Sequence, residues 1–116
     1  RRDLQFALRD KGRPWELGKA FDRSAPVAPL VPAAAAGPMD QAPIWLTVNG
    51  QLRQSAQVAD MIWSVPEIIA NLSTYFRLEP GDLIFTGTPE GVGPVVAGDV
   101  IEAGVDGVGS LSVRIV

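Results

Sequence analysis

The chain has 116 residues, 47% of them apolar and 20% charged, a balance that suits one small folded domain and excludes a disordered segment. Its net charge is −3 and its ten Lys and Arg residues are scattered rather than gathered in a stripe, so nucleic acid is not an expected partner. Cysteine and histidine are both absent, which removes disulfides, thiolate metal sites and imidazole, the commonest general base and metal ligand near neutral pH.

Asp3 to Lys11 reads as a short helix, with Leu4, Ala7 and Leu8 at helical spacing, an acidic residue in the first turn, Lys11 in the last and Gly12 as the stop. Between residues 24 and 43 five prolines (Pro26, Pro29, Pro32, Pro38 and Pro43) surround the run Ala33 to Ala36. Each proline removes a backbone donor, so this stretch is expected to be an ordered loop or a linker. Ile44, Leu46 and Val48 alternate with Trp45 and Thr47, and Asn49-Gly50 then supplies the left-handed pair of a two-residue hairpin turn. Ser64-Val65-Pro66-Glu67 is a capping box, followed by Val65, Ile69, Leu72 and Phe76 on one face of a helix expected to run from about Val65 to Arg77.

Glu79-Pro80-Gly81-Asp82 fits a type II turn, and Leu83 to Thr86 then reads as a buried strand entering an irregular loop from Gly87 to Gly93. At the end, Val100, Leu111, Val113 and Ile115 are inward candidates around an Asp106-Gly107 turn. Strands mixed with two helices imply an α+β domain. Apolar runs break well short of the roughly 18 residues that span a bilayer, and no signal peptide is evident, so a cytoplasmic protein with no membrane partner is expected. The chain opens at Arg1 already in charged, helix-like sequence, and further sequence is expected upstream.

Few residues invite chemistry. The segment Thr86-Gly87-Thr88-Pro89-Glu90-Gly91-Val92-Gly93 combines glycines with hydroxyls and amides that could bond an anion, though a tight turn would account for it equally. It lacks the Gly-Lys-Ser/Thr ending of a P-loop and the glycine spacing of a dinucleotide fingerprint. Lys19 stands among apolar and small residues, where its ammonium could stabilise an enolate or carboxylate; a solvated surface lysine is the other reading. Arg2 and Gln5, three apart, would share a helix face suited to a carboxylate and its neighbouring carbonyl, or would simply be an exposed helix end. Asp60, Asp82, Asp99 and Glu102 fall near turns and strand ends, where a solvated or turn-forming carboxylate is expected rather than a metal site.

Five segments in register, Arg2 to Gln5, Gly12 to Asp22, Val48 to Gln54, Met61 to Ser64 and Pro80 to Pro89, together resemble the fumarylacetoacetate hydrolase family over nearly the whole chain. Gly12 to Asp22 looks most like its bacterial fumarylpyruvate hydrolase branch. The resemblance implies a mixed β-roll, of which residues 1–116 would form the C-terminal part of a single catalytic domain with the upstream part missing. It implies a homodimer acting on a small-molecule 2-oxo acid. Cleavage of a C–C bond in an acylpyruvate such as fumarylpyruvate is the leading expectation, with Mg²⁺ or Mn²⁺ chelating the carboxylate and 2-oxo oxygens.

By the same resemblance Lys19 is the active-site lysine, Arg2 and Gln5 are the substrate-contacting pair, and Thr88 meets the substrate carboxylate. The family's metal carboxylates, including an aspartate four residues before the position of Arg2, and its His–Glu pair belong to sequence not in this chain. The isolated chain is therefore expected to bind metal poorly and to turn over nothing. The alternatives are a decarboxylase or isomerase of small 2-oxo acids on the same fold, and a noncatalytic fragment or binding module.

Overall fold

The computed structural model describes residues 1–116, and a four-stranded antiparallel sheet organises it: β1 (Pro43–Val48), β2 (Gln51–Gln57), β3 (Val100–Val105) and β4 (Gly109–Arg114), in the order β2-β1-β3-β4. The expected hairpin joins β1 to β2, with Asn49 at φ 51° and Gly50 at φ 76°, the positive angles that a two-residue turn demands. Asn49 also ties the hairpin to the far end of the sheet. Its side-chain amide donates to Asp99 Oδ1 at 2.8 Å and its Oδ1 accepts from the Val100 N–H at 2.9 Å.

The register shifts between Leu46, opposite Gln54, and Thr47, opposite Leu52, which leaves Arg53 as the extra residue of a β-bulge. One sheet face carries Ile44 and Leu46 from β1, Ala103 and Val105 from β3, and Leu111 from β4. Among these apolar partners Gln54 is the polar exception. Val100, expected to face inward with Leu111 and Val113, instead pairs with Arg114, and Ile101 opposite Val113 takes its place. Leu111 and Val113 lie on the inward face as expected, so the slip of one residue is confined to β3.

The proline-rich stretch is an ordered loop interrupted by one helical turn, α2 (Ala33–Ala36), which Pro32 precedes and Gly37 ends at φ 73°. Ala28, Pro29 and Val31 from this loop line the apolar cavity over the sheet, so the stretch covers the sheet face. Before it lie α1 (Arg2–Arg9), ending near the expected Gly12 at φ 63°, and a 3₁₀ turn at Glu16–Gly18 packed against α1.

The capping-box helix α3 (Val65–Leu72) starts where expected: the Glu67 carboxylate accepts from the Ser64 N–H at 2.8 Å and from its hydroxyl at 2.7 Å. It stops five residues early. Ser73 Oγ donates to the Ile69 carbonyl and Thr74 Oγ1 to the Asn71 carbonyl, each at 2.8 Å, side-chain bonds of the kind that compete with continued helix. The half-buried residues of α3 are Ile68 and Leu72, rather than the stripe of Val65, Ile69, Leu72 and Phe76.

Glu79 to Asp82 forms the expected turn, with Gly81 at φ 104° and Asp82 N–H donating to Glu79 O at 3.1 Å. The strand expected at Leu83 to Thr86 is absent. No backbone–backbone hydrogen bond involves residues 83–95, and Leu83, Ile84 and Phe85 are exposed. A strand needs a neighbour, and these residues find none within the chain. Burial is sparse throughout: only Gly18, Ala42 and Gln54 are buried. No helix is long and apolar enough to cross a membrane.

Candidate active site

Arg2 and Gln5 lie on α1, and the 3₁₀ turn that ends at Gly18, next to Lys19, packs against that helix. Gly18 packs so tightly on α1 that a Cβ there would stand 2.8 Å from Gln5 Cβ, and the Arg1 backbone nitrogen donates to Gly18 O at 2.9 Å. This contact places the backbone of Gly18, to which Lys19 is joined, close to Gln5, one turn of α1 from Arg2. Arg2 is exposed, its guanidinium 6.0 Å from the centre of the Phe6 ring, and neither Arg2 nor Lys19 enters an ion pair. Two cations are thus left available to an anionic ligand.

Thr88 enters none of these contacts. It lines an apolar cavity of about 520 Å³ over the sheet, together with Leu46, Gln54, Pro89, Ala103 and Leu111. A second hollow, of about 790 Å³, is also lined by Thr88 and Pro89 and reaches Ala56, Met61 and Val65. Arg2, Gln5 and Lys19 line neither. Within this chain no hydrogen bond and no shared hollow links Arg2, Gln5 and Lys19 to Thr88.

Sequence reasoning did not single out Gln54, which is bonded to Thr88. Its side chain is 6% exposed, its Nε2 donates to Pro89 O at 2.6 Å and Glu90 O at 3.3 Å, and its Oε1 accepts from Thr88 Oγ1 at 3.1 Å. The available signal was a polar residue in phase with Ala56 on the strand's inward side. Gly91, at φ 100°, completes the contact: a Cβ there would collide with the Arg53 carbonyl oxygen.

The aspartates behave as turn formers. Asp60, Asp82 and Asp99 each accept a bond at 2.8–2.9 Å from the N–H three residues earlier, at Gln57, Glu79 and Val96. The Val96 N–H, followed by the Asn49 amide, holds the Asp99 carboxyl below its ordinary value, and the hydroxyl and N–H of Ser64 do the same for Glu67. No group of three or more Asp, Glu, His or Cys converges in a way that could hold a metal ion. A hard divalent cation wants several such oxygens, so the residues of this chain do not by themselves make its site.

The family model for the fumarylacetoacetate hydrolase C-terminal region matches residues 1–116. The chain belongs to the fumarylacetoacetate hydrolase family. It is 52% identical to a fumarylpyruvate hydrolase from Ralstonia sp. over 115 residues, 99% of this chain and 59% of that protein. It is 46% identical to the mitochondrial oxaloacetate tautomerase of Mus musculus over 114 residues, 98% of this chain and 52% of the mouse protein. Its fold matches the crystal structure of fumarylpyruvate hydrolase from Pseudomonas aeruginosa in complex with Mn²⁺ and pyruvate, with a TM-score of 0.94 and 55% identity, covering 99% of this chain and 49% of that one. The α+β fold is therefore that of this family's C-terminal portion, and the chain spans about half the length of the relatives it matches.

Proposed function

We propose that the protein containing this chain is a metal-dependent hydrolase that cleaves a C–C bond in an acylpyruvate such as fumarylpyruvate. One observation carries the reading: 99% of the chain superimposes, at 55% identity, on a fumarylpyruvate hydrolase crystallised with Mn²⁺ and pyruvate. On this reading residues 1–116 are the C-terminal part of a single catalytic domain. The exposed apolar run Leu83 to Phe85 and its unpaired backbone support that assignment, since another part of the domain would cover them. The divalent ion, Mg²⁺ or Mn²⁺, is assigned to carboxylates outside these residues. A homodimer and a cytoplasmic location belong to the same proposal.

Within the chain, Arg2 offers a planar fork to the substrate carboxylate, and Gln5, on the same face, can donate to the neighbouring carbonyl. Lys19 supplies a positive charge beside the oxygen that becomes an enolate. Thr88 donates to the carboxylate. Water adds to the acyl carbon, the C–C bond breaks, and its electron pair stays on the pyruvate fragment as the enolate until a proton arrives. The acyl carbon leaves as a carboxylic acid.

A second reading, interconversion or decarboxylation of a small 2-oxo acid, draws on the 46% identity to an oxaloacetate tautomerase. Both reactions need the pyruvate end held and an enolate stabilised, so substrate assays separate them. The test is turnover of fumarylpyruvate and of oxaloacetate by the whole protein with Mg²⁺ or Mn²⁺. Faster fumarylpyruvate cleavage is expected, with Lys19→Met lowering kcat by about 10²–10³-fold, as for loss of one charge-stabilising donor. Preference for oxaloacetate would favour the second reading, and no metal-dependent turnover of either would leave a noncatalytic binding module. Turnover by residues 1–116 alone would overturn the assignment of the chain as part of a domain.

A further inference from the structure

We propose that Gln54 is a positioning residue that sets Thr88 in the substrate site. The inference rests on the assignment of Thr88 to the substrate carboxylate, and goes beyond it by naming what holds Thr88 there. Three observations converge. Gln54 is the one buried polar side chain, and it directly follows the bulged Arg53, a distortion of the kind that re-aims a side chain. Its bonds to Thr88, Pro89 and Glu90 are the only hydrogen bonds made by residues 83–95. Gly91 presses against the Arg53 carbonyl and the Gln54 side chain, so the loop is seated on the bulge as well as bonded to Gln54.

The chemistry fixes the amide's orientation. The carbonyls of Pro89 and Glu90 can only accept, so Nε2 must face them and Oε1 must face the Thr88 hydroxyl. That hydroxyl has one proton, and in this structure it points to Gln54. A carboxylate reaching Thr88 must take the same proton, so the hydroxyl changes acceptor on binding while Nε2 keeps the loop in place. Gln54 therefore acts on the carboxylate through Thr88.

The test is calorimetric titration of pyruvate into the whole protein loaded with Mn²⁺, comparing Gln54→Met, Thr88→Val and the double variant. Each single substitution is expected to weaken binding about tenfold, the scale of one hydrogen bond to a charged group. The double variant is expected to be no weaker than either, because the two residues act as a unit. In turnover, Q54M should raise KM and leave kcat within about twofold, since the transition state keeps its other contacts. A hundredfold loss in the double variant, or full affinity in Q54M beside a weakened T88V, would overturn the positioning role and leave Thr88 as assigned. An unaffected T88V in a protein that binds pyruvate would overturn both. Absence of pyruvate binding by the parent protein would sink the proposed function itself and this inference with it. Should Q54M fail to fold, the parent protein with Mg²⁺ decides: the Gln54 side-chain amide resonances must shift when pyruvate binds, and an unmoved pair overturns the proposal.

Discussion

The sheet and the segment at residues 83–95 are built from similar apolar sequence and end in opposite states. Ile44 to Val48 finds β2 on one side and β3 on the other, and every residue of β1 has a cross-strand partner. Leu83 to Thr86 is as apolar as β1 and has no backbone partner at all. Local sequence supplies the capacity to be a strand, and a neighbouring strand makes it one. The difference marks where this chain completes its own backbone pairing and where it does not.

The largest effect that tests this contrast is in hydrogen exchange. In the isolated chain, amides on β1 and β3 should be protected by on the order of 10³-fold, while those of residues 83–95 exchange almost as fast as in an unfolded peptide. In the whole protein, protection should spread to residues 83–86. Continued fast exchange there, read by mass spectrometry, would mean that the segment is a loop in its own right and would end the comparison.

Glycine substitutions sharpen it next. Gly91→Ala combines a positive φ of 100° with a collision against the Arg53 carbonyl, whereas Gly87→Ala, at φ 101°, meets open space. The positive angle alone costs about 1–3 kcal/mol. Thermal or denaturant unfolding should find G87A within that range and G91A clearly beyond it. Equal losses would show that the loop's seat on the hairpin contributes nothing.

A smaller change concerns the end of α3. Replacing Ser73 and Thr74 by Ala removes the two side-chain bonds to helix carbonyls and should lengthen the helix toward Arg77, raising stability by a few tenths of a kcal/mol per residue. Circular dichroism would register the added helix, and an unchanged spectrum would place the cause of termination elsewhere.

The smallest effect lies where the open segment rejoins the sheet. Asp99 accepts from the Val96 N–H and the Asn49 amide, and its carboxyl is held below its ordinary value of 3.8. A carboxylate depressed in the folded state stabilises above its unfolded value, and the contribution disappears as pH falls through the lower folded value. Acidification from pH 5 should therefore loosen the Asn49 to Val96 junction only below about pH 4. Amide chemical shifts of Val96 should follow this titration, and Asp99→Asn should flatten it.

Much of the fold could be read from residues whose structure is decided locally. Asn49-Gly50 requires its turn, Ser64 to Glu67 caps its helix, and Gly81 closes the turn before residue 83. What escaped depended on more distant partners or on fine competition. The bulge at Arg53 appears only when β2 meets β1, and the inward choice of Ile101 over Val100 is set by pairing with β4. The site divided in the same way. Lys19, Arg2, Gln5 and Thr88 were named from resemblance, whereas the contact of Gln54 with Thr88 depended on a fold that carries β2 to a loop 34 residues away.

The unpaired stretch from Leu83 to Phe85 also has a meaning for the cell that makes the protein. An incomplete product carrying only this chain would display adhesive hydrophobic backbone, the kind of surface that chaperones bind and proteases find. If, as proposed, that surface joins the parts of a complete domain, it would then single out a defective copy for removal.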